Sequence, residues 1–342
     1  MDRLTRRGFL QAALGMAGGG AVSGALGCEG AEALDRPTAS WRARHLRRPV
    51  VVVARDPGVS EGWQVDEARL RDLLERAVRA LGGVSDGREV WRALYGPEDR
   101  VGLKINGLAG IPASTHPEVA YAVADALRSV GLDEERILIW DRTGADLKRA
   151  GFDVKGGSRG YACLGTDARG VGYETNHMFY GSVGSRLSRV LTRLTTAQVN
   201  LPVLKDHGLA GLSGALKNYY GAIHNPNKYH DNNCDPWVAD VNVLPPVREQ
   251  SHLVVCDALH ALCNGGPGFK ARWAWDFNGL LVGTDPVAVD RVAWSIIEAR
   301  RAEMGLKTLE EEGRPPRWLS TASDEDHELG ASVLEEIERI DV

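Results

Sequence analysis

The chain has 342 residues, 43% hydrophobic and 25% charged. That is ordinary globular composition, and long enough for one large domain or two intimate lobes around a sizeable core. The net charge is −5, or −7 once Met1–Gly27 (with Asp2, Arg3, Arg6 and Arg7) is set aside. An acidic chain without a long basic stripe excludes nucleic acid as a main partner.

In chain order, Thr5-Arg6-Arg7-Gly8-Phe9-Leu10-Gln11 comes first, followed by an uncharged stretch to Gly27. This pattern resembles a twin-arginine (Tat) signal, which sends folded proteins across a bacterial membrane and would make the Tat export machinery a partner. Ala31-Glu32-Ala33 fits small-x-small cleavage, so residues 1–33 are expected to be a signal peptide and the product periplasmic. Ala25-Leu26-Gly27-Cys28 is an imperfect lipoprotein box, and a lipid anchor at Cys28 would be the one membrane attachment. Residues 34–48 read as a basic tether and 49–342 as the folded domain.

Val50–Ala54, Val101–Ile105, Ile137–Trp140, Thr196–Leu201 and Leu253–Asp257 are short apolar runs, which mark buried strands, with Leu280–Gly283 a further one. Helical spacing or caps predict helices over Asp66–Leu81, Pro117–Val130, Gly211–Ile223 and Pro286–Arg301. Strands alternating with helices predict an α/β fold: a largely parallel sheet with helices on both faces. Asn225–Trp237 reads as a long polar loop, which in a compact domain is more often functional than idle.

In such sheets ligands gather at the carboxyl ends of the strands. Those ends deliver Lys104 and Asn106, then His116; Asp141 and Arg142; Lys205, Asp206 and His207; Asp257; and Asp285. The densest cluster runs from Lys205 to Asp235 and adds Lys217, Asn218, His224, His230 and Cys234. Imidazole, thiolate and carboxylate together suit a transition metal, so His224, His230 and Cys234 are the expected metal ligands. Hydrogen-bonded loop histidines are the plainer alternative. Gly208, Gly211 and Gly214, spaced by three, could open an anion-binding helix start or serve close packing. Asp285 suffices as a helix N-cap before Pro286 and is also a candidate site residue. Four cysteines follow Cys28, none in a C-x-x-C, so spacing alone reads as neither an iron–sulfur cluster nor a zinc ribbon. Disulfides and inert buried thiols both fit them. The sequence lacks G-x-S-x-G, H-E-x-x-H and a G-x-G-x-x-G after the first strand, which counts against serine hydrolases, zincins and conventional NAD enzymes.

The ordered motifs Val101-Gly102-Leu103-Lys104-Ile105-Asn106, Thr115-His116-Pro117-Glu118, Asn200–His207, Gly214-Ala215-Leu216-Lys217-Asn218, Gly265-Gly266-Pro267 and Thr284–Asp290 resemble domain-of-unknown-function family 362, over about residues 50 to 300. The resemblance implies no defined chemistry. It associates the family with iron–sulfur modules, but this chain lacks the cysteine-rich segment that would carry one.

The leading expectation is therefore an exported, metal- or cofactor-dependent enzyme for a small polar or anionic substrate. His207 would act as general base or metal ligand, with Asp206 orienting it, although adjacent strand residues point to opposite faces. Lys104, Lys205 and Lys217 would hold an anionic group or a developing oxyanion. Asn106, His116, Asn218 and Asp285 would bind substrate. The alternative is a non-catalytic metal or iron–sulfur electron-transfer protein built on the cysteines, and a third is a scaffold whose polar loop binds a partner.

Overall fold

The computed structural model describes residues 49–154 and 159–342. The Tat pattern, the cleavage sites, Cys28 and the tether lie outside the described residues. The strands of the main sheet are β1 (Val50–Arg55), β2 (Val101–Ile105), β3 (Ile137–Asp141), β4 (Ala162–Gly165), β5 (Ala197–Leu201), β6 (Val203–His207), β7 (Gly211–Leu212), β8 (Ser251–Leu262), β9 (Ala274–Gly283) and β10 (Glu338–Asp341). Their order is β10-β1-β9-β8-β5-β2-β3-β4, with β6 on β8 and β7 on β6. Most pairings are parallel; β9 is antiparallel to both β1 and β8. The expected α/β class holds.

Alternate residues explain why the strands read as unbroken apolar runs. Val51 and Val53 enter one core cluster, while Val50, Val52 and Ala54 enter the other. Leu138 and Trp140 divide from Ile137 and Ile139 in the same way. Both faces of the sheet are therefore covered, which leaves no polar face to alternate. Helices α1 (Glu67–Gly82) and α2 (Arg88–Leu94) and helix α3 (Pro117–Ser129) cover one face. Short helices α4 (Gly144–Arg149) and α5 (Ala215–Asn218) follow, then α6 (Trp237–Val243), α7 (Pro245–Gln250), α8 (Pro286–Glu303) and α9 (Trp318–Ala322). Of these, α5, α6 and α8 pack on the opposite face. Helix α1 starts where Asp66 accepts from the amides of Ala68 and Arg69, and it ends at Gly83 in the left-handed conformation.

Three expected elements are corrected. Gly211–Ile223 is not one helix: β7, the four-residue α5 and a 3-10 turn over Tyr219–Ala222 share it. Gly214, at φ 51, makes the break, and a Cβ there would sit 2.6 Å from the Asp290 carboxylate. The strand expected at Leu280–Gly283 spans ten residues, and that at Leu253–Asp257 spans twelve, because the two pair with each other along their length. Pro202 divides the run after β5, and the chain resumes as β6 beside the far half of β8. That step carries Lys205 and His207 to the carboxyl edge of the sheet.

Candidate functional site

A cavity of about 160 Å³ opens at this edge. Strands β2, β3 and β6 bring Lys104, Asp141, Lys205 and His207 to it, and α5 brings Lys217 and Asn218. Asn106, Arg142, Asp146, Ser213, Tyr220, Asn227 and His230 add polar and aromatic lining, and Pro267 also borders the cavity.

One wall is a closed network. The buried Lys104 Nζ donates to Asp141 Oδ1 at 2.7 Å, to the Ile105 carbonyl at 2.7 Å and to Asn218 Oδ1 at 3.3 Å. Asp141 Oδ2 accepts from the Gly107 amide at 2.8 Å. Asn218 Nδ2 donates to Asn200 Oδ1 at 2.8 Å and to the Lys104 carbonyl at 3.2 Å. The Lys104 ammonium is thus fully paired and holds the wall together. Gly221 is required beside it, since a Cβ there would meet Lys104 Nζ at 2.8 Å and Asp141 Oδ1 at 2.9 Å.

The other lysines of the lining are less satisfied, and Asn106, which donates to Asn218 Oδ1 at 3.3 Å, joins one of them to this network. Lys205 Nζ donates to the Ala113 carbonyl at 2.6 Å and to Asn106 Oδ1 at 2.9 Å. Burial pulls its pKa down to about 7, against the pull of Asp141, Asp206 and Asp257. Lys217, brought down to about 8 by burial, donates to His230 Nε2 at 3.1 Å and lies 4.2 Å from the centre of the Tyr220 ring. His230 Nδ1 lies 2.9 Å from the Pro226 carbonyl, which assigns the proton to Nδ1 and leaves Nε2 to accept from Lys217. Both ammonium groups therefore sit in low dielectric at the edge of losing their protons, the condition for an amine to work as acid and base near neutrality.

His207 takes a different part from the general base expected of it. Its Nδ1 accepts from the amides of Leu209 at 3.1 Å and Ala210 at 3.2 Å, so the neutral ring carries its proton on Nε2. Burial, with Lys217 next, lowers its pKa to about 2. The ring is held as a neutral hydrogen-bond donor.

Asp206 points away, as strand alternation requires. Its Oδ1 accepts from the Gly266 amide at 2.7 Å and its Oδ2 from Arg314 at 3.0 Å. It fixes the Gly265–Pro267 turn, whose Pro267 closes one side of the cavity, and it does not orient His207. Asp285 is a helix cap and no substrate ligand: it accepts from Ala288 at 2.8 Å and from Ala331 at 2.9 Å, and it does not line the cavity. His116 also leaves the cavity and pairs with Asp257. The expected metal set does not assemble. His224 Nδ1 accepts from the Arg186 amide at 3.0 Å, and the ring packs on Tyr173 and His177. Cys234 is buried in the core, and of the three only His230 lines the cavity. Among the described residues, no group of three or more His, Cys, Asp or Glu side chains converges to hold a metal. The four cysteines are buried, Cys163 in one core cluster and Cys234, Cys256 and Cys263 in the other, and the last three are free thiols, the buried-thiol alternative to disulfides.

Asp290 escaped notice as a site residue. On α8, it accepts from the Ala215 and Leu216 amides at 2.5 and 3.0 Å, and so fixes the start of α5 and with it Lys217 and Asn218. Burial raises its pKa to about 7. The signal was present in the sequence as an aspartate on the inner face of a helix that begins at Asp285-Pro286, where an apolar residue was due.

A family profile described as "Domain of unknown function (DUF362)" matches residues 101–295, a span that contains every cavity residue named above. No curated protein matches the chain.

Proposed function

From a chain that belongs to the DUF362 family, we propose an enzyme that binds a small anionic substrate in the lysine-lined cavity and moves a proton on it with Lys205. The observation that carries this reading is the excess of cationic groups. Lys205, Lys217 and Arg142 line the cavity, while its two carboxylates are already engaged, Asp141 by Lys104 and Asp146 by Thr143 and Arg149. A carboxylate or phosphate entering the site meets Lys217 and the His207 Nε2–H as donors. Lys205, poised near pH 7, then accepts or returns a proton, while the wall fixed by Lys104 keeps its shape.

Binding of small carboxylates and phosphate monoesters at pH 7, read by isothermal titration calorimetry, tests this. The expected result is micromolar to millimolar binding of one anion class, lost in Lys217→Met, with neutral analogues silent. Equal binding by neutral analogues, or anion binding unaffected in Lys217→Met, refutes it.

We further propose that the segment around Arg6 and Arg7 directs Tat export to the periplasm. The twin arginines and the uncharged stretch to Gly27 support this. Fusion of residues 1–48 to a reporter that is active only when exported folded should give activity that Arg6→Lys with Arg7→Lys abolishes; activity that survives the double change would discard the signal.

A further inference from the structure

A second polar cluster lies outside the lysine cavity, around His116 and His260. His116 precedes α3, and its Nδ1 is 2.7 Å from Asp257 Oδ2, which also accepts the His116 backbone amide at 2.7 Å. His260 stands on β8, paired in register with Asp276 on β9, and its Nδ1 is 2.7 Å from Asp276 Oδ1. The two imidazole centres are 5.2 Å apart, with their planes at 46°. Both rings are more than nine-tenths buried.

Each carboxylate accepts a hydrogen bond from the Nδ1–H of its ring, so a ring with a single proton carries its lone pair on Nε2. Both Nε2 atoms are buried, and neither has a hydrogen-bond partner among the described residues. An orphaned buried polar atom costs about 1–3 kcal/mol, and here two of them belong to adjacent rings.

We propose that His116 Nε2 and His260 Nε2 together bind one divalent metal ion of the zinc, copper or nickel class. Imidazole suits these ions. A carboxylate on the far nitrogen fixes the tautomer and raises ligand basicity, an arrangement common to metal-bound histidines. With metal–nitrogen bonds of about 2.0–2.1 Å, two imidazoles on one tetrahedral ion place their centres about 5 Å apart, which agrees with the separation of these rings. The negative charges of Asp257 and Asp276 favour a cation here. Trp63, 49% exposed, packs on His260 with ring centres 4.5 Å apart. Two protein ligands leave the remaining positions to water or to a small ligand.

The test uses the full chain, stripped of metal with a chelator. Zn²⁺ is titrated by calorimetry, and Cu²⁺ by quenching of tryptophan emission. One Zn²⁺ per chain is expected, bound at least tenfold more weakly by His260→Gln and by Asp276→Asn. The Asp276 side chain is 61% exposed, so that variant keeps its fold even if changes at the buried His116 do not. Trp63→Phe should remove much of the Cu²⁺ quenching while leaving Zn²⁺ affinity within about threefold. Absence of Zn²⁺ binding would mean that a proton or a water satisfies the two nitrogens, and would overturn the proposal. Unchanged binding in His260→Gln would place the ion elsewhere and overturn it equally.

Discussion

The strand ends and the polar loop supplied equally suggestive residues, and the fold treated them differently. Lys104, Asp141, Lys205 and His207 stand near the carboxyl ends of strands β2, β3 and β6, and all four reach the cavity. His224, His230 and Cys234 lie within eleven consecutive residues, yet only His230 arrives. Parallel strands fix both the height and the direction of a side chain, because each residue is tied to its neighbours by the ladder. A loop fixes neither. Here Asn232, Asn233 and Cys234 take positive φ, which turns Cys234 into the core and away from the cavity. Nearness in sequence is a poor guide to convergence when the backbone between the residues is irregular.

The sharpest way to break this contrast is through the scaffold of the strand-end site. Asp290→Ala strips the Ala215 and Leu216 amides of their acceptor and should cost about 2–4 kcal/mol in urea denaturation, with anion binding lost as α5 shifts. A loss under about 0.5 kcal/mol would mean that α5 is held by other contacts. Gly221→Ala pushes a methyl against the Lys104–Asp141 pair and should cost about 1–3 kcal/mol, read by the same denaturation.

A third expected effect is on pH dependence. The Lys205 pKa falls from its ordinary 10.5 to about 7 on folding. Between those values the unfolded chain binds the proton and the folded chain does not, so this residue makes stability rise with pH, by about 1.4 kcal/mol per pH unit at most. Lys205→Met should remove that rise from pH 7 to 10; a pH profile identical to that of the parent chain would contradict the buried, depressed amine. The smallest effect is expected in the loop. His224→Gln should leave anion affinity within about twofold and stability within about 1 kcal/mol, because its partners are Ser185 and the Arg186 amide, not the cavity. A large loss of binding there would erase the distinction between the two regions.

The sheet was largely legible. Continuous apolar runs located β1, β2, β3 and β5, and Asp66 and Gly82–Gly83 bounded α1 to within a residue or so. Strand ends also pointed to the cavity lysines and to His207. What escaped has physical reasons. β4 is four residues long, and β10, whose residues are half-buried or exposed, carries no apolar run. The Gly211–Ile223 segment is apolar enough for a helix, but the strain-tolerant Gly214 and the Asp290 cap impose a strand, a turn of helix and a 3-10 turn. The His116–His260 pair was invisible because 143 residues separate them in the chain, and only the packing of the segment before α3 on β8, where His116 meets Asp257, brings their rings together. His207 was found, but its role was not: the amides that occupy its Nδ1 belong to a turn that sequence reading did not resolve.

The central claim is that Lys205 is an amine poised near neutrality inside an anion-binding cavity. The most direct measurement is a pH titration of the lysine ¹³Cε resonances in labelled protein, with Lys205 assigned by the Lys205→Arg variant. The account predicts one lysine titrating near pH 7, absent in Lys205→Arg, and moving upward when a small anion occupies the cavity. A Lys205 midpoint near 10.5, unmoved by anions, would contradict it.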